Sequence, residues 1–93
     1  MPYIPREQRS ALDGPIEALA RAVREFHDGK SNASIAGVLN YCITRLTLEA
    51  MKPQRYHDIA IVTGVLENVK QEFYRMFAAP YEDAKIKENG PVY

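Results

Sequence analysis

Ile59-Ala60-Ile61-Val62-Thr63-Gly64-Val65-Leu66-Glu67-Asn68-Val69-Lys70-Gln71-Glu72-Phe73-Tyr74-Arg75-Met76-Phe77 repeats its apolar side chains at a helical period, with no breaker other than Gly64. On a helical wheel zeroed at Ile59, Val62, Val65, Leu66, Val69, Phe73, Met76 and Phe77 cover about 240° to 360°, one continuous face. A half-buried strand would alternate from residue to residue, and this stretch does not. The pattern predicts a helix over 55–79. Beside the apolar face, at about 40° to 80°, lie Tyr56, Thr63, Glu67 and Tyr74, a strip of aromatic and polar groups. Residues 67, 74 and 81 are seven apart, so a helix that continues through Pro80 adds Tyr81 to the strip, whereas a kink at Pro80 removes it.

Working outward, Lys52-Pro53 closes the preceding helix, because the residue before a proline is pushed out of the α region. That helix is predicted over 34–51, with Ser31, Asn32 and Ser34 competing as N-caps. Ile35, Leu39, Cys42, Ile43, Leu46 and Ala50 form its core stripe. Tyr41, Thr44, Leu48 and Met51 form a second stripe at about 160° to 240° on the same wheel, with Gly37 among them. A helix with two apolar stripes is either sandwiched within its own domain or buried against another copy. Towards the N-terminus, Asp13-Gly14-Pro15 reads as a turn with proline at the first helical position, and Ile16, Leu19, Ala20, Val23 and Phe26 share one face. A first helix is therefore predicted over 15–27, with Gly29 after His27-Asp28 as its stop. The tail has helical propensity over 81–88 and stops at Asn89-Gly90-Pro91, and its apolar Val92-Tyr93 end is expected to dock on a surface. The expected fold is all-α: a compact, oligomeric three-helix domain with a short fourth helix at the C-terminus. It forms a single domain over 1–93, with a head (1–14), a three-helix body (15–79) and a tail (80–93).

Ninety-three residues suffice for one domain and exclude separate cofactor and substrate domains. Twelve Lys and Arg against twelve Asp and Glu give a net charge of zero, which argues against a nucleic-acid groove or an anionic membrane surface as partner. The start, Met1-Pro2-Tyr3-Ile4-Pro5-Arg6, lacks the apolar core of a signal peptide, and no apolar run approaches a membrane span. A cytoplasmic protein is expected, for which the glycosylation sequon Asn32-Ala33-Ser34 is idle. The lone cysteine, Cys42, excludes an internal disulfide, and with His27 and His57 it falls short of a zinc set.

No residue set supports catalysis. Tyr56-His57-Asp58 places an imidazole next to a carboxylate, but neighbours on a helix point about 100° apart and do not pair as base and orienter. Glu67 and Glu72 face different sides of one helix, which is not a glycosidase-type pair. His27 suits a helix C-terminus, and Cys42 lies in a core stripe. Neither a phosphate loop nor a nucleophile elbow occurs. The expectation is no catalytic residue, no metal and no cofactor. Six tyrosines without a tryptophan do suit an interface, since tyrosine offers a flat face and a hydroxyl at small entropic cost. The candidate ligand-binding residues are Asn40, Tyr41, Thr44 and Arg45 as a floor, with Tyr81, Lys85, Asn89 and Tyr93 from the tail closing over it. The same tyrosines also suit a seam between subunits with no ligand.

The opening Met1-Pro2-Tyr3-Ile4-Pro5, the centre Leu39-Asn40-Tyr41 with Ile43-Thr44, the segment Glu72-Phe73-Tyr74-Arg75, and the close Pro80-Tyr81-Glu82-Asp83, Lys85, Glu88-Asn89-Gly90 and Val92-Tyr93 resemble a family of small uncharacterised proteins from tailed phages and bacterial genomes. Many relatives end in Gly-Asp-Val-Tyr, where this chain has Gly90-Pro91-Val92-Tyr93. The motifs are silent on chemistry; by analogy of size and style, a small phage-type protein without catalytic machinery looks like an accessory or anti-defence factor, acting in the bacterial host cytoplasm. Two functions follow as expectations. One is a non-enzymatic homo-oligomer that sequesters a nucleotide signal in pockets between its subunits; the other is a structural or regulatory adaptor that binds another protein through its tyrosine-rich surface and C-terminal tail.

Overall fold

The computed structural model describes residues 3–26 and 32–93, and all regular structure in them is helical. Helix α1 spans Arg6–Phe26, α2 Asn32–Met51 and α3 Tyr56–Phe73; a π-helical turn, Tyr74–Ala78, then leads without a break into α4, Ala79–Asn89. The chain divides into two units, a hairpin of α1 and α2 within residues 3–54 and a long helical run within 55–93. The all-α expectation thus holds as three helical runs, the last made of α3, the π turn and α4.

Helix α1 starts nine residues before the expected position and runs through Asp13-Gly14-Pro15. Its first turn is fixed upstream: the Gln8 amide donates to the Pro5 carbonyl at 2.9 Å, and Arg9 Nε donates to the Ile4 carbonyl at 2.8 Å. Glu7 in the first turn and Arg24 in the last suit the helix dipole. Proline at position 15 cannot donate to the Ala11 carbonyl four residues back, and Ala11 lies exposed, where solvent can reach the helix. The apolar face also stays in phase across the proline, since Leu12, Ile16, Leu19 and Val23 recur at helical spacing. The expected stop at His27-Asp28-Gly29, the Ser31 cap and the side chains of the Asn32-Ala33 sequon pair lie outside the described residues.

Helix α2 begins two residues before the expected Ser34 and ends where expected. Lys52 adopts a left-handed φ of 44°, its amide donates to the Leu48 carbonyl at 2.9 Å, and Pro53 then prevents continuation. The opening of α3 is a capping arrangement, in which the extended Arg55 donates its backbone amide to the Asp58 carboxylate at 3.2 Å.

Against α1, α2 presents Leu39, Cys42, Ile43 and Leu46, part of the predicted core stripe, and these face Ile16, Leu19, Ala20 and Val23. Val23, 7% exposed, is the one buried apolar side chain among the described residues. The second stripe of α2 finds no cover within the hairpin, where Tyr41, Leu48 and Met51 are all exposed. In the long helical run no described side chain is buried.

The position of Pro15 inside α1 gives a decisive test. Pro15→Ala is expected to stabilise the protein by roughly 1–3 kcal/mol, read from thermal unfolding followed by circular dichroism, because it restores a helix hydrogen bond and removes a steric clash. A helix that began at Pro15 would gain nothing from the change.

Candidate functional site

The eight candidate residues divide between the two units. Asn40, Tyr41, Thr44 and Arg45 lie on α2; Tyr81, Lys85 and Asn89 lie on α4, with Tyr93 beyond its end.

On α2 the floor residues form an exposed ladder one turn apart. Thr44 donates its hydroxyl to the Asn40 carbonyl at 2.9 Å, a back-bond within the helix that occupies the threonine. Arg45 donates to the Tyr41 hydroxyl at 3.2 Å and lies 3.5 Å from Glu49 Oε1. These groups lie on the outer surface of one helix. Beside them opens an apolar groove of 570 Å³ whose walls are Leu19, Val23 and Phe26 of α1 with Gly37, Val38 and Cys42 of α2, and Tyr41 stands at its rim. On the other side of the helix contact lies a second groove, lined by Ile16, Leu39, Ile43 and Leu46. Val23 and Cys42 line both, so the half-buried Cys42 thiol sits along the line where the helices meet.

Gly37 carries a signal of its own. A Cβ built there meets nothing within 4 Å, so the hairpin does not need a glycine at that position. Glycine in a helix interior nonetheless costs about 1 kcal/mol relative to alanine.

On the second unit the strip of aromatic and polar groups does not continue as the seven-residue spacing predicted. Pro80 cannot donate to the Met76 carbonyl, and its ring crowds that oxygen. The chain responds with a wider turn, in which the Ala79 amide bonds to the Tyr74 carbonyl five residues back. That extra residue moves the register by one. Tyr74 donates its hydroxyl to the Glu82 carboxylate, eight residues on, and Tyr81 instead lies 5.7 Å from the Lys85 ammonium, which sits over its ring and is 3.4 Å from Glu88. Phe73 and Phe77 stack at 5.4 Å across the same turn. Asn89 is the last helical residue; Gly90 follows at φ 87° with its amide on the Ile86 carbonyl, and Val92 and Tyr93 stand fully exposed.

Two groups here have shifted titrations. The hydrogen bond to Glu82, with the negative charge of that carboxylate, holds the Tyr74 phenol above the ordinary tyrosine range. The Gln71 amide and the Lys70 ammonium, 3.1 and 3.3 Å away, hold the Glu67 carboxyl below its ordinary value. Sequence reasoning missed the Tyr74–Glu82 pair. The signal that reveals it is Pro80, whose missing amide forces the register change.

Of the residues weighed for chemistry, Asp58 serves the Arg55 amide as a helix cap. Among the described residues no group of His, Cys, Asp and Glu is arranged to hold a metal, and no helix is long and apolar enough to cross a membrane. A family model for a domain of unknown function, DUF6899, matches residues 1–92. No curated protein and no solved structure matches the chain.

The Tyr74–Glu82 bond requires a protonated phenol, so it persists through the ordinary tyrosine range and is lost as pH rises through the raised pKa of Tyr74. In an alkaline titration followed by the NMR shift of its phenol carbon, Tyr74 is expected to ionise above the ordinary tyrosine range, and at lower pH in the Glu82→Gln variant. An unchanged Tyr74 titration in that variant would contradict the pairing.

Proposed function

The chain belongs to the DUF6899 family, and from that premise we propose that it is a non-enzymatic adaptor, which binds a helix of another protein in the apolar groove of the α1–α2 hairpin. The observation that carries this reading is the groove itself together with its glycine. Apolar walls with a tyrosine at the rim are what a helix-in-groove interface uses, because buried aliphatic surface supplies the attraction and the aromatic ring, whose hydroxyl accepts a hydrogen bond from Arg45, supplies an anchor. Gly37 leaves the backbone of α2 open to close approach from outside, which accounts for a glycine the hairpin does not require.

A second reading is that the protein sequesters a nucleotide signal in pockets between copies. The exposed pair of Tyr41 and Arg45 favours it, since a ring and a guanidinium side by side suit stacking on a base. Against it stands the arginine's engagement with Glu49 and the back-bonded hydroxyl of Thr44, which leave little to meet a phosphate. An accessory or anti-defence role in a phage-infected cytoplasm, drawn by analogy of size and style, accommodates either reading.

Two measurements separate them. Millimolar linear and cyclic nucleotides are expected to leave the melting temperature unchanged, whereas sequestration would add about 2.7 kcal/mol at a hundredfold excess over the dissociation constant. Gly37→Leu is expected to keep or raise the stability of the free protein, because the new side chain meets open space, and to abolish capture of the partner by filling the groove. Undiminished capture by Gly37→Leu would refute the groove as the binding site.

A further inference from the structure

The long helical run raises a question that the hairpin groove does not answer. Residues 59–65 include five β-branched side chains and a glycine, a composition with poor intrinsic helix propensity. Isolated helices are marginal even with good formers, and most helical stability in proteins comes from packing an apolar face. Among the described residues of its own unit no other element covers this helix: Phe73 is 62% and Phe77 69% exposed, with Ile59, Leu66 and Val69 exposed beside them.

The exposed face has a definite period. Ile59, Val62, Leu66, Val69 and Phe73 are separated by three, four, three and four residues, the a/d alternation of a coiled-coil seam. At the π turn the step lengthens to four, and the stacking of Phe73 on Phe77 shows the seam continuing through it. The register change that breaks the tyrosine strip therefore extends the apolar one. Glu67, Gln71 and the Tyr74–Glu82 pair stand away from this line, while Lys70 flanks it with its ammonium 3.3 Å from Glu67.

We propose that the helical run Tyr56–Asn89 pairs with the same run of a second copy along the seam Ile59, Val62, Leu66, Val69, Phe73 and Phe77. A seam with neither charge nor hydrogen-bonding side chain is best covered by another of the same kind, and a second copy supplies it with two-fold symmetry. The area is sufficient. With two phenylalanines at about 150 Å² each and four aliphatic side chains at about 80 Å² each, the seam buries on the order of 600 Å² per copy. Flanking stems such as that of Lys70 carry it towards the roughly 800 Å² per partner of a standard stable interface. The run of 34 residues is about 50 Å long, so the pairing is extended enough to hold two chains together. This pairing uses a different unit from the adaptor groove and stands or falls apart from it.

The test uses the full-length protein. Light scattering at high micromolar concentration is expected to give at least twice the 10.6 kDa of one chain, and Leu66→Asp with Val69→Asp to reduce it to one. A single-chain mass for the unmodified protein would overturn the proposal, as would an unchanged assembly in the double variant with its helix content retained. Should the double variant unfold, thiol labelling decides without disrupting the seam. On a Cys42→Ser background, Val69→Cys lies on the seam and Gln71→Cys on the opposite side of the helix. The seam thiol is expected to react about tenfold or more slowly than the other at high protein concentration, and to lose that protection on dilution. Equal reactivity at every concentration, or protection that dilution leaves intact, overturns pairing with a second copy.

Discussion

The α1–α2 contact is a single line, and the behaviour of the hairpin follows from how little it buries. Where Val23 and Cys42 lie between the two grooves, apolar side chains from both helices approach, and among the described residues only Val23 is buried. Burying one valine contributes about 1.5–2 kcal/mol, a small return for ordering two helices. Neither groove is filled by the hairpin's own side chains. The stability of such a unit depends on what occupies the grooves, so binding and folding are thermodynamically linked: a partner that recognises only the paired helices stabilises them by mass action.

Pro80 plays the corresponding part in the second unit. A proline at that position commonly ends or sharply bends a helix, yet here one widened turn absorbs it and the helix goes on to Asn89. The consequence is a change of phase. Before the turn, Tyr56, Thr63, Glu67 and Tyr74 share an edge; after it, Glu82 and not Tyr81 comes beneath Tyr74, and Tyr81 is left to the Lys85 ammonium. A single missing amide therefore decides which aromatic ring meets which charge on the turns to either side of it.

These cases mark what could and could not be read from the sequence. The helical class, the end of α2 and the start of α3 were legible because their determinants are local, the period of the apolar residues and Lys52-Pro53; the expected stop at 79 was not, since the run continues through the π turn to Asn89. Two prolines were misjudged for one shared reason. Pro15 was taken for a helix start and Pro80 for either a kink or a straight continuation, whereas the outcome at each depends on how the freed carbonyl four residues back is accommodated. At Ala11 the helix lies exposed to solvent, and at Met76 it forms a π turn. The sequence names the proline and is silent on the carbonyl's surroundings. Among the candidate binding residues, the pairing of Tyr41 with Arg45 follows from helical spacing, while the groove beside them depends on α1 and is visible only once the hairpin is formed.

Apolar content and apolar burial are separate quantities, and this chain shows why the difference carries functional information. Hydrophobic residues make up 46% of it, an ordinary globular fraction, while the described residues bury one of them. Random exposure would scatter such side chains singly over the surface, a pattern that needs no explanation. Here they are arranged on helix faces: a groove beside Tyr41 and Gly37 on one unit, and a line from Ile59 to Phe77 on the other. Contiguous apolar faces of that kind are costly to leave in water and mark sites of association. The two faces also differ in character. The groove is concave and has an aromatic ring at its rim, which favours an unlike partner that fills it. The helical seam is linear and free of polar atoms, which favours a partner like itself. Under the two proposals one face serves assembly and the other recognition, and because they lie on different units, each can be altered without directly changing the other.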